Sequence, residues 1–204
     1  MTISNVTRRR STQCGRLFEK NGYVVVTQLI PPVMCDYISE NIKVLEASSY
    51  FPYGDIQVEK ALTAASPFVT ETLLDVMTPT FSQAVNCDLY PTYSYLRIYL
   101  KGARLERHQD RPSCEVSATI TLSYDSPYVW PLYLESNGQT IEVLLEPGDA
   151  LIYKGMELPH WREIFDGERQ VQVFLHYVRQ NGNYSEYKFD KRPALGHQLT
   201  QPSQ

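Results

Sequence analysis

Two histidines and an aspartate carry the strongest chemical signal in this chain. His108 and Asp110 are separated by one residue. In extended backbone, side chains two positions apart point the same way, so an imidazole and a carboxylate are offered to one point. Such a tripeptide on its own is common and reads as a surface histidine beside a solvated acid. The pair gains meaning from His160, which follows a Pro147-Gly148-Asp149 turn and a short strand pattern. Two histidines and one carboxylate can grip one face of an Fe(II) ion and leave its other positions open.

A possible anion clamp lies nearby. Arg169 stands nine residues beyond His160, across the Asp166-Gly167 turn. From there a guanidinium could look back into a barrel and hold a carboxylate with two parallel hydrogen bonds. The plain alternative is an exposed pair with Glu163 or Glu168. The remaining histidines carry no such signal: His176 sits inside the strand-like run Val173-Phe174-Leu175-His176-Tyr177 and reads as packed or hydrogen-bonded, and His197 lies in a polar tail over 190–204.

Positioning these groups requires a strand-rich second half. Tyr93 to Lys101 alternates, with Tyr95, Arg97 and Tyr99 on one face and Leu96, Ile98 and Leu100 on the other. Val116 to Tyr124 is rich in residues that favour pleated backbone. Further strands are expected over Thr140 to Leu145, Ala150 to Tyr153, Trp161 to Phe165 and Glu168 to Val178. Asp166-Gly167 predicts a hairpin between the last two. Before residue 90 the pattern is helical. Met34, Ile38, Ile42 and Leu45 mark one apolar face after Pro31-Pro32, and further helices are expected over Phe68 to Met77 and Thr80 to Val85. A short β-branched run, Val24-Val25-Val26, precedes them. The expected class is α+β: a jelly-roll core over 91–180, a mainly helical part over 14–90 on one side of it, and a flexible stretch over 1–13, all within one domain.

Composition narrows the function classes. The net charge of −4 gives no general affinity for phosphate backbones, so no nucleic-acid partner is expected. No apolar run is long enough for a membrane span. Arg8-Arg9-Arg10 is not followed by the apolar segment that an export signal needs. Cys14, Cys35, Cys87 and Cys114 form no CxxC pair and read as free thiols of a cytoplasmic protein.

Taken in order, strand, His-x-Asp, strands, Pro-Gly-Asp, His160 and Arg169 resemble the Fe(II)/2-oxoglutarate-dependent oxygenases, particularly the prolyl-4-hydroxylase-like branch. The resemblance covers roughly Tyr93 to Val178 and extends, more weakly, to Phe18–Val26 and the helix after it. It implies a double-stranded β-helix and an iron held by His108, Asp110 and His160. It also implies 2-oxoglutarate and O2 as cosubstrates, with ascorbate as a candidate stimulant. Arg169 would then bind the far carboxylate of 2-oxoglutarate, assisted by Tyr99 or Tyr124. Because Asp110 fills the position that a halogenase leaves for chloride, hydroxylation or a related C–H oxidation is implied. If Tyr99 faces the barrel interior, Arg97 and Tyr95 share that face. A buried Arg97 would need a substrate anion or an internal partner such as Glu115 or Asp125. Trp130 and Trp161 are core aromatics or line the mouth. The substrate class stays open between small molecules, amino acids and peptidyl residues. A demethylase of nucleic acids and a non-catalytic binding module with a vestigial site are the competing readings.

Overall fold

The computed structural model describes residues 5–197, with side chains from residue 13 onward. Three α-helices and ten strands occur among them: α1 (Asn5–Asn21), β1 (Tyr23–Val26), α2 (Pro32–Ala47), β2 (Ala61–Ala65), α3 (Phe68–Val85), β3 (Leu89–Leu100), β4 (Leu105–His108), β5 (Val116–Asp125), β6 (Leu132–Ser136), β7 (Gln139–Val143), β8 (Ala150–Tyr153), β9 (His160–Arg162) and β10 (Arg169–Arg179). The strands make two antiparallel sheets. The larger has the order β1-β8-β5-β10-β3-β2 and the smaller β4-β9-β6-β7.

The larger sheet divides the molecule chemically. Its outer face packs against the helices through Val171, Val173, Leu175 and Tyr177 of β10, Ile120 and Leu122 of β5, and Ile38, Ile42, Leu74 and Phe81 from α2 and α3. The alternate residues of the same strands face the smaller sheet. On β10 these are Gln170, Gln172, Phe174 and His176, and on β3 they are Tyr95, Arg97 and Tyr99, paired as Gln170–Tyr99, Gln172–Arg97 and Phe174–Tyr95. The period of two therefore sorts an apolar helix-facing surface from a polar inner wall.

Three sequence-based expectations change. The segment over residues 68–85 is one helix that carries Pro79 in its interior, with Thr78 donating its hydroxyl to the Leu74 carbonyl 2.9 Å away. Asp166-Gly167 does not join a hairpin. β9 pairs with β4 and β6, whereas β10 pairs with β3 and β5, so this turn carries the chain from one sheet to the other. Strands β2, β4 and β6 are short and carry too few residues to show a period in the sequence.

Secondary structure and side-chain bonds reach close to both ends of the described part. Residues 5–13 begin α1. Arg192 is buried against Glu71 at 2.6 Å, and the Gly196 amide donates to the same carboxylate. These bonds strap the tail to α3. Residues 1–4 and 198–204 lie outside the described part.

Candidate metal centre

β4 and β9 lie side by side with His108 opposite His160, and Asp110 follows in the loop after β4. The Nε2 atoms of both histidines stand 3.7 Å from Asp110 Oδ1. Neighbouring ligands on an octahedral ion with bonds of about 2.1 Å lie roughly 3 Å apart, so the three groups need only small shifts to share one cation. Each imidazole is also in the right tautomer. His108 Nδ1 donates to the Glu106 carbonyl at 2.8 Å and His160 Nδ1 to the Leu158 carbonyl at 3.0 Å. Both Nε2 lone pairs are thereby turned toward Asp110. Burial lowers the pKa of His160, which favours the neutral, ligating form.

The second oxygen of Asp110 is held from behind. Ser117 donates its hydroxyl to Asp110 Oδ2 at 2.8 Å, and its oxygen lies 3.0 Å from His176 Nδ1. Burial pushes the His176 pKa down to about 4, so the ring is neutral at pH 7. Since the serine proton goes to the aspartate, His176 must donate from Nδ1. The relay His176→Ser117→Asp110 leaves Oδ1 as the free lobe. His176 also stacks on Tyr93, with centroids 4.5 Å apart. Asp110, Cys114 and His176 are themselves close enough to hold a cation. There, however, Nδ1 is already committed to Ser117, and burial pushes the Cys114 thiol well above its ordinary range. That cluster acts as support for Asp110.

Backbone geometry fixes the loop. The Asp110 amide donates to the Gly155 carbonyl at 2.9 Å, and Gln109 Nε2 donates to the carbonyls of Met156 and Glu157. A Cβ at Gly155 would collide with Asp110 Oδ2 and come within 2.6 Å of Ser117 Oγ and the Cys114 carbonyl. Gly155 is thus required for the close approach of the turn to the carboxylate.

The centre opens on a cavity of about 940 Å³. Tyr95, Arg97, Phe174 and His176 form its larger-sheet wall, and Tyr50, Ile56, Phe68 and His197 reach its rim from outside the sheets. Arg97 is 4% exposed and is met by Asp55, from the loop before β2. Nε and Nη2 both donate to Oδ2, at 3.1 and 2.5 Å, while Nη2 reaches Gln57 and Nη1 reaches the Tyr99 hydroxyl. Tyr95 donates to the same Asp55 oxygen at 2.9 Å. The partner of Arg97 is therefore neither Glu115, which binds Arg179, nor Asp125. Arg111 forks onto Asp190 and lies over the Tyr93 ring.

Two residues expected at the cosubstrate lie elsewhere. Arg169 pairs across the sheet with Leu100 and Asp125, on the helix-facing side, and its fork closes on Glu46 of α2 at 2.8 and 2.9 Å. The inward position is Gln170, one residue later. Tyr124 donates its hydroxyl to Glu146 at 2.6 Å near the surface. A register shift in β5 pairs Val171 with Ser123 but Gln172 with Thr121, so Thr121 stands opposite Gln172 on the inner wall, whereas Tyr124, opposite Gln170, lies toward the surface end of the strand. Gln170, Gln172, Thr119 and Thr121 bond to one another. Tyr99 is fully buried on the inner wall, against Trp130. Trp161 points away from His160 and stacks on Tyr133.

Arg162 was not anticipated. It shares the inward face of β9 with His160, is 1% exposed, and makes one hydrogen bond, from Nη1 to the Trp130 carbonyl at 2.6 Å. No carboxylate pairs with it among the described residues. Burial lowers its pKa to about 10, so it remains charged at pH 7. The same strand alternation that aligns His108 with Asp110 would have placed it.

No protein-family model matches the chain, and no curated protein does. Solved structures do. A prolyl hydroxylase from Trichoplax adhaerens, in complex with a hypoxia-inducible-factor peptide fragment, superposes with a TM-score of 0.70 at 14% identity, over 88% of this chain and 95% of that one. A prolyl-4-hydroxylase from Pseudomonas putida gives 0.66 at 15% identity, over 83% and 98%. HygX from Streptomyces hygroscopicus, with nickel and 2-oxoglutarate bound, gives 0.63 at 13% identity, over 88% and 89%. This chain is built on the double-stranded β-helix of the Fe(II)/2-oxoglutarate oxygenases, with a candidate His-Asp-His metal site in it.

Proposed function

We propose that this protein is a non-haem Fe(II)- and 2-oxoglutarate-dependent oxygenase that oxidises a C–H bond of a small molecule, amino acid or peptidyl residue. The observation that carries this reading is the convergence of two correctly oriented Nε2 atoms on one free lobe of Asp110. His108, His160 and Asp110 would hold the iron, which with 2-oxoglutarate and O2 supplies the oxidant, succinate and CO2 being the coproducts.

The chain's own groups do the rest. Ser117 and His176 fix which oxygen of Asp110 faces the histidines. The Tyr153 hydroxyl lies 3.3 Å from His160 Nε2, and its buried ring closes one side of the centre. The rim of Tyr50, Ile56 and Phe68 is exposed and leaves the cavity open to a substrate. Arg97 and Tyr95 shape the wall, but Asp55 already meets the arginine's charge, so the anionic-substrate role expected for Arg97 gains no support. The acidic net charge speaks against a nucleic-acid substrate. The test is succinate formation from 2-oxoglutarate with Fe(II) and ascorbate. Turnover lost in His108→Ala, Asp110→Ala and His160→Ala supports the reading. Failure of Fe(II) to bind the wild-type protein would reject it and favour a non-catalytic module.

A further inference from the structure

Among the described residues, the far end of the inner wall holds a buried cation without an acid and a buried donor without an acceptor. Arg162 is buried with a single neutral acceptor and no acid. Trp130, whose ring lies 4.6 Å below that guanidinium, has its own buried Nε1 without any hydrogen-bond partner. A buried charge left unpaired is costly, as is an unmet buried donor. Side by side, the two describe a place for an anion. Elsewhere near the cavity the cations are already matched, Arg97 by Asp55 and Arg111 by Asp190.

We propose that Arg162 seats the distal carboxylate of 2-oxoglutarate, in place of Arg169; the assignment rests on the oxygenase reading above. Position supports it. Arg162 lies two residues along β9 from His160, on the same face, a separation of about 7 Å along the strand. That matches a short dicarboxylate held at the metal by one end and at a cation by the other. Leu105, opposite Arg162, lines the cavity together with His160 and Tyr153, so the guanidinium lies one layer behind that wall. Arg169 has neither qualification, being on the other face of the sheet with its fork filled by Glu46.

The experiment compares two keto acids by calorimetry on the Mn(II)-loaded full chain: 2-oxoglutarate, and 2-oxopentanoate, which ends in a methyl group instead of the distal carboxylate. Wild type is expected to prefer 2-oxoglutarate by about thirtyfold or more. Arg162→Met should erase that preference while leaving 2-oxopentanoate affinity unchanged, and Arg169→Leu should preserve it. In the metal-free, ligand-free state Arg162→Met should melt no lower than wild type, because it removes an unpaired buried charge. Arg162→Gln serves with the same expectation if the methionine variant does not fold. A preference that survives loss of Arg162, or one that disappears with Arg169, overturns the assignment and leaves the oxygenase reading intact. A wild-type protein that binds Mn(II) but neither keto acid overturns both.

Discussion

The two ends of the inner wall are finished differently. Around Asp110 the supporting groups have partners: both histidine Nδ1 atoms meet carbonyls, Ser117 bridges Asp110 and His176, and the loop amide meets Gly155, which leaves only Oδ1 and the two Nε2 atoms for an ion. Around Trp130, a guanidinium and an indole N–H lack an acid and an acceptor. A site that must hold a small ion in fixed geometry is organised in advance by its neighbours. A site that receives a charged ligand keeps its counter-charge open. Complete satisfaction marks the first, and incompleteness marks the second.

The strongest way to break this comparison is at the finished end. His108→Ala, Asp110→Ala or His160→Ala should each abolish turnover and sharply weaken Fe(II) binding, read by metal titration, with a near-native circular dichroism spectrum. His176→Ala should retain measurable metal binding. If His176→Ala removes the metal and His160→Ala does not, the ligand set has been misassigned.

Between the ends stands a satisfied pair, Arg97 with Asp55. Burial alone would push the Asp55 carboxyl up, but the charge and hydrogen bonds of Arg97, with further bonds from Val58 and Tyr95, hold it below the usual carboxylate range. A carboxyl lowered in the folded state adds stability above its unfolded pKa of about 4, and that stability is lost as pH falls through the folded value. Asp55→Asn should therefore destabilise the protein by about 3 kcal/mol at pH 7. The gap to wild type should narrow below pH 4, as followed by urea midpoints at both pH values. A gap that widens in acid would contradict this pairing.

A smaller effect is expected at the relay. Ser117→Ala should weaken metal binding by roughly 10–100-fold without removing a ligand, measured by competition with a chelator. No change would mean that Asp110 orients itself. Smallest of all is Arg169→Leu. Its pair with Glu46 is about one-third exposed, so its loss should change stability by no more than about 1 kcal/mol in thermal melts.

The candidate metal end was legible in the sequence because His108, at the end of β4, and Asp110, in the loop after it, stand two residues apart, and His160 sits in a distinctive turn-and-strand context. The helix-facing core was legible for the same reason, from Ile38, Ile42 and Leu45. The far end was not. Counting nine residues from His160 reaches Arg169, but the sheet-crossing turn brings the next strand in one residue out of phase, so Gln170 faces inward. An offset of one in a period of two exchanges the faces. Tyr124 pairs with Gln170 but stands near the surface end of β5, where Glu146 takes its hydroxyl. Asp55, Arg97's partner, lies 42 residues away in a loop with no period to betray it.

The strap that ties Arg192 and Gly196 to Glu71 has a consequence for how this molecule could diversify. It brings His197 to the cavity rim, beside Tyr50, Ile56 and Phe68, which come from a loop and a helix start. None of these rim residues lies on a strand that carries a candidate metal ligand. Selection can therefore rewrite which molecules enter by altering loops and the tail, regions tolerant of change, while the machinery beneath is inherited intact. Relatives with the same His-Asp-His set and different rims would be expected to share a reaction and differ in diet.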